Sequence, residues 1–150
     1  MSANAKIETS QLNDQNLISI AWLVSRYQPF YTYSFGLMMD KLSDQLRHKT
    51  NITITVNNKL VAYAGWFETD LQAAQDWQKN DLEALPLPNK GGEAIIVTIV
   101  VSQKPEYLRP LIKAISHVCA GKKGFRKRSF GNQRADMIRP PITGRPQKNI

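Results

Sequence analysis

A chain of 150 residues with 42% hydrophobic side chains has the size of one domain and enough apolar content to bury a core without staples. Its single cysteine, Cys119, excludes an internal disulfide and a sulfur-based zinc site, and no apolar run approaches the roughly 20 residues of a membrane span. The formal charge of +8 is local: residues 121–150 hold nine Lys or Arg against one acid, Asp136, and the rest of the chain is balanced.

The polar start, with Glu8 and Asp14, lacks the basic and apolar pattern of a secretory signal, so a cytoplasmic location is expected. Residues 1–10 are expected to be poorly ordered. From Gln11 to Arg26 the apolar positions Leu12, Leu17, Ile18, Ala21 and Trp22, with Ser25, suggest a helical stripe that Pro29 ends. Ser34 to Arg47 predicts a second helix, N-capped by Ser34, with Phe35, Met38, Met39, Leu42 and Leu46 facing a core.

Ile52, Ile54 and Val56 alternate with threonines, and Asn57-Asn58 offers a tight turn into Leu60–Phe67, which together predict a hairpin. Asp70 to Leu85 reads as a polar helix with Leu71, Ala74, Trp77 and Leu82 inward, ended by Pro86 and Pro88. The run Ala94–Val101 is continuous and β-branched, as in a strand covered on both faces. Pro105 opens a helix closed by Gly121, with Leu108, Leu111, Ile112, Ile115, Val118 and Cys119 on one side and Lys113, Ser116 and His117 on the wet side. Phe125–Phe130 and Ala135–Ile138 predict two last strands, and residues 140–150 an extended basic tail. This order predicts an α/β (α+β) domain over residues 11–139, a mixed central sheet flanked by helices.

Neither His48 nor His117 has a carboxylate at a spacing that would build a triad or a metal site, so no metal is expected. Cys119 falls on an apolar helix face and reads as an inert thiol. The stretch from Gln103 to Arg109 leads a buried strand into a helix N-terminus, where main-chain amides can meet an anion, although the glycines of a phosphate cradle are missing. Lys122, Lys123, Arg126, Lys127 and Arg128, interleaved with Phe125 and Phe130, suit three readings: nucleic acid, an acidic protein, or a charged edge strand guarded against aggregation.

Four places carry a resemblance to a known family: Trp22-Leu23, Ser25 and Pro29-Phe30; Leu60-Val61-Ala62-Tyr63-Ala64-Gly65-Trp66, beside a family strand Pro-Val-Ala-Tyr-Cys-Ser-Trp; Asp76-Trp77 and the strand before Pro105; and Phe125-Arg126-Lys127-Arg128. On these the chain resembles the RTX toxin-activating lysine acyltransferases, which share the GNAT acetyltransferase fold. The resemblance spans about residues 20 to 130 and implies a single GNAT-like domain. It further implies an acyl donor, borne by acyl carrier protein or coenzyme A, with no other cofactor required. The family's catalytic histidine and aspartate are replaced, their positions falling nearest Tyr31 and Thr98. A phenol, ordinarily protonated at neutral pH, donates a proton to a leaving thiolate more readily than it accepts one.

By the same resemblance Val100, Val101, Gln103, Tyr107 and Arg109 line the pantetheine arm. The partner implied is acidic carrier protein, met by the C-terminal bases. Two alternatives remain: a non-catalytic interaction module, pairing with a second copy or another subunit on the same fold, and a nucleic-acid-binding protein using the basic segment.

Overall fold

In a computed structural model of the protein, residues 4–81, 84–128, 137–138 and 142–144 are described, with side chains up to Arg126. The chain falls into two compact units, the first made of residues 1–65 and 99–114, the second of residues 66–98 and 115–150. Strands β1 (Ala5–Glu8), β2 (Asn51–Val56), β3 (Lys59–Thr69), β4 (Ala94–Ser102), β5 (Lys122–Phe125) and β8 (Ile142–Gly144) form a mixed sheet in the order β1-β2-β3-β4-β5-β8. A separate antiparallel pair joins β6 (Lys127–Arg128) to β7 (Met137–Ile138). The helices are α1 (Asp14–Val24), α2 (Phe35–Arg47), α3 (Leu71–Lys79) and α4 (Leu108–Val118).

In the first unit, α1 begins where the Asn13 side chain accepts the Asn16 amide, and α2 where the Ser34 hydroxyl accepts that of Leu37. Each bond satisfies one of the orphan amides of a first helical turn. Both helices bury one side: Ile20, Leu23 and Val24 from α1, Met38, Leu42 and Leu46 from α2, packed with Phe30, Tyr63, Ile99 and Val101. The face of α1 differs from the expected stripe, because Ile18 and Trp22 are about two-thirds exposed. With apolar residues nearly all round this helix, spacing alone does not set its phase. The Arg26 guanidinium lies over one face of the Trp22 ring, 4.3 Å from its centroid.

The hairpin forms as expected. Asn57 and Asn58 both have positive φ, 53° and 64°, the backbone of a turn whose twist matches paired strands and which asparagine tolerates. The register runs from Asn51↔Gly65 to Ile54↔Ala62, then jumps to Thr55↔Leu60. Val61 is thus the extra residue of a bulge. On a regular strand Leu60 and Tyr63, three apart, would face opposite sides; across the bulge both pack on the same core cluster.

The stretch expected to be poorly ordered contains β1, antiparallel to β2. Just beyond it the buried Asn51 side chain accepts the Ser10 amide at 2.9 Å and donates to the Ser10 carbonyl and to the Gln45 carbonyl. A buried amide satisfied on both its ends holds the segment to the sheet edge.

The second unit has its own core of Ala74, Trp77, Ala94, Ile96 and Phe125. The third helix stops at Lys79, earlier than expected, with Asn80 as its C-cap and Asp81 at a φ of 49°; Leu82 lies outside the described residues. The loop from Leu87 to Gly92 is fastened to the end of β3. Thr69 donates its hydroxyl to the Leu87 carbonyl at 2.8 Å, the Asn89 amide donates to the Glu68 carbonyl at 2.7 Å, and the Asn89 side chain donates to Asp70. β5 runs parallel to β4 and antiparallel to β8. The tail expected to be merely extended therefore contributes an edge strand at Ile142–Gly144, whereas Phe130, Ala135, Asp136 and residues 145–150 lie outside the described residues. Pro105 opens a 3-10 turn (Pro105–Tyr107) before α4 rather than the α-helix itself, and Leu108 and Val118, expected inward, are about half exposed.

Candidate functional site

The fourth strand changes character along its length. From Ala94 to Val97 every side chain is buried, and beyond that buried Ile99 and Val101 alternate with half-buried Thr98, Val100 and Ser102. Its register with β5 covers Ala94↔Lys123 to Ile96↔Phe125; β5 ends there and β4 continues to Ser102. The expectation of a strand covered on both faces holds for the first half only. In the second half, one face carries Val100 and Ser102 toward a partly open surface.

The residues after β4 are held from within the first unit. The Gln103 amide donates to the Val61 carbonyl at 2.9 Å, so the bulge in β3 turns a main-chain acceptor onto the start of this loop. Ser102 donates its hydroxyl to the Lys104 carbonyl. The Tyr107 amide is taken by the Lys104 carbonyl at 3.1 Å and the Leu108 amide by the Pro105 carbonyl. Pro105 and Pro110 carry no amide hydrogen. Most of the main-chain donors that would cradle a pyrophosphate at this helix start are therefore absent or engaged. Lys104, Glu106 and Arg109 are exposed, as is Lys113 one turn further along α4.

The expected donor-arm residues divide accordingly. Val100 and Gln103 lie at the partly open surface and Arg109 at the exposed start of α4. Val101 is buried in the core and Tyr107 is largely buried, so Val101 presents its main chain rather than its side chain. Tyr31 sits in the 3-10 turn Phe30–Thr32 of the first unit, about half exposed, its hydroxyl accepting from Gln28 Nε2 at 3.0 Å. The phenolic proton is left available to donate. Thr98 is half-buried on β4 and is counted with the second unit.

Among the bases expected to meet a partner, Lys122 is already committed. Its ammonium lies 3.1 Å from Glu68 and also donates to the Gly92 carbonyl. Glu68 is lowered from the ordinary carboxylate range; its partial burial works against this and is outweighed by the Gly91 amide at 3.0 Å and by Lys122 and Lys90. Lys123 is exposed and Arg126 half-buried, while the side chains of Lys127 and Arg128 lie outside the described residues. Cys119 is buried, and burial, with Glu68 assisting, pushes its thiol up to about 12, an inert state. His48 caps α2, and His117 is exposed in the last turn of α4. Among the described residues there is no group of three His, Cys, Asp or Glu able to hold a metal ion, and no helix long and apolar enough to cross a membrane.

The mixed sheet with its flanking helices is that of the GNAT fold. Solved structures of that class superpose on most of the chain. The loading GNATL domain of CurA from Lyngbya majuscula aligns at a TM-score of 0.62 and 12% identity, covering 86% of this chain and 67% of that one. The GphF GNAT-like decarboxylase, in complex with isobutyryl-CoA, aligns at 0.63 and 12%, covering 85% and 67%. A GNAT-family acetyltransferase from Streptococcus agalactiae aligns at 0.56 and 8%, covering 87% and 79%. No protein-family model matches the sequence, and no curated protein matches it.

Proposed function

We propose that this GNAT-fold chain is an acyltransferase-like domain, related to the toxin-activating lysine acyltransferases, that binds an acyl thioester along the second half of β4. The observation that carries the reading is the change at the end of β5: Ile99 to Ser102 continue beyond the strand that pairs with β4. There the main chain of β4 can offer amide and carbonyl groups to the two amides of a pantetheine arm. Val100 and Ser102 would lie against the arm, and Gln103, fixed by the Val61 carbonyl, would stand at its outer end. The solved neighbour with isobutyryl-CoA supports a thioester ligand on this fold.

The poverty of free amides between Gln103 and Pro110 weakens any grip on a nucleotide diphosphate, and the exposed Lys104, Arg109 and Lys113 suit an acidic surface. Both features favour a carrier-protein thioester over free coenzyme A. For turnover, Tyr31 is the proposed proton donor to the leaving thiolate; the resemblance to the family matches Thr98 to its aspartate.

The test is titration of the protein with acyl carrier protein bearing a hydrolysis-resistant thioester mimic, and separately with acyl-coenzyme A. The expected result is tighter binding of the carrier form, reduced at least tenfold by Val100→Arg with the fold retained by circular dichroism. Binding of neither donor, or equal binding by Val100→Arg, refutes the proposal.

A second reading, a non-catalytic module pairing with another subunit, draws support from Ile18, Trp22, Phe35 and Leu37, apolar side chains more than half exposed on α1 and α2. A sedimentation series over protein concentration separates the two. A dimer that dissociates on Trp22→Glu would favour the module; a monomer at all concentrations would remove self-pairing.

A further inference from the structure

Lys41 lies in the middle of α2, half-buried, its ammonium 6.0 Å from the centroid of the Tyr33 ring. Its neighbours along the helix supply no counter-charge. Asp44, one turn ahead, is held by Arg47 at 2.6 Å; Gln45 is held by the Tyr63 hydroxyl at 2.6 Å; Leu37 and Met38, one turn behind, are apolar. Asp40, the adjacent residue, projects about 100° around the helix to an exposed position. Among the described residues no carboxylate comes within ion-pair distance of Lys41.

An ammonium that is partly desolvated and meets only a ring face is poorly compensated, since one cation–π contact replaces little of the lost hydration. Burial accordingly lowers Lys41 from the ordinary lysine value. The neutral amine is the reactive form, and a larger share of it at neutral pH makes a stronger nucleophile. The surroundings also suit the product of acylation better than the starting ammonium. An amide carries no charge to desolvate, and an aliphatic chain attached to Nζ can lie along Tyr33 and the exposed side of Leu37.

We propose that Lys41 is an acyl-acceptor site of this chain, taking acyl groups from thioesters as a stable amide. The Nζ lone pair adds to the thioester carbonyl carbon, the C–S bond breaks, and the sulfur leaves as thiolate. The proton shed by the amine ends on that sulfur. One thioester and one amine thus give one amide and one thiol, with no oxidant, reductant or metal required. This goes beyond the donor-binding reading and stands without it, because a small thioester can reach the amine from solvent.

The experiment incubates the full chain, near neutral pH, with butyryl-N-acetylcysteamine, a thioester lacking both nucleotide and carrier, and follows each lysine by peptide mass mapping over time. Lys41 is expected to acylate several-fold faster than the exposed Lys49 and Lys59, because burial lowers it from the ordinary lysine value and leaves a larger share as the neutral amine. The preference is expected to vanish when the chain is unfolded in urea. A rate at Lys41 no greater than at those controls, or a preference that survives unfolding, overturns the proposal. Carrier and coenzyme A titrations on Lys41→Arg, expected to match the parent chain, keep this outcome separate from that of the donor-binding reading.

Discussion

Removing the hydroxyl of Tyr63 tests the buried network beneath the hairpin. That hydroxyl donates to Gln45 Oε1 at 2.6 Å, with the tyrosine wholly buried and the glutamine 4% exposed, and burial pushes the phenol well above its ordinary range. Tyr63→Phe leaves the acceptor without this donor where water does not readily replace it, at a cost of about 1–3 kcal/mol. With a urea dependence of about 1–3 kcal/mol per molar for a protein of this size, the unfolding midpoint should fall by about 1 M while the slope holds.

Gly65 sharpens the test. A Cβ there would fall 1.9 Å from Gln45 Oε1, the same oxygen, so Gly65→Ala must drive the glutamine side chain aside and break its bond to Tyr63. Adding Tyr63→Phe to Gly65→Ala should then cost about 1 kcal/mol less than adding it to the parent chain. A Tyr63→Phe cost under about 0.5 kcal/mol, or strict additivity of the two substitutions, would refute the reasoning.

Other outcomes follow from the second unit. Glu68 has a folded-state pKa below its unfolded value, so the unfolded chain binds the proton first; its stabilisation is present above the unfolded value and lost as pH falls through the folded one. Glu68→Gln should therefore destabilise at neutral pH, and urea titrations should show its gap to the parent chain closing toward strongly acidic pH. Cys119, raised to about 12, contributes the opposite slope, its stabilisation being lost as pH rises from the ordinary thiol value toward about 12. Its thiol should resist iodoacetamide in the native protein at mildly alkaline pH and react once urea is added. Gly92→Ala places a Cβ 2.1 Å from the Thr69 carbonyl oxygen, a main-chain atom with little room to yield, and should cost about 1–3 kcal/mol by thermal or urea unfolding.

The elements marked by local chemistry were legible in the sequence. Ser34 caps α2, and the asparagine pair turns the hairpin, because those signals act within a few residues of themselves. What escaped depends on distant partners. The face of α1 is chosen by what packs on it, and Ile18 and Trp22 could not be told from Ile20 and Leu23 by period alone. Lys122 looked like a free base, yet its charge is spent on Glu68, 54 residues earlier in the chain. The edge strands β1 and β8 are short and polar or irregular in pattern, so nothing but pairing reveals them. In the candidate site, the strand leading into the Gln103 loop was readable, whereas the anchor at the Val61 carbonyl was not, since bulges leave little imprint on composition.

That bulge makes the length of β3 a design variable in its own right. Leu60 and Tyr63 share a core only because one residue between them is left over. Deleting Val61 would restore even alternation, leaving Leu60 and Tyr63 two apart and still on one face, yet it would withdraw the carbonyl that tethers the loop beyond β4. Every individual side chain of the loop would be intact and its position lost. Variation among related chains should accordingly tolerate changes of residue type at position 61 far better than changes in the number of residues there.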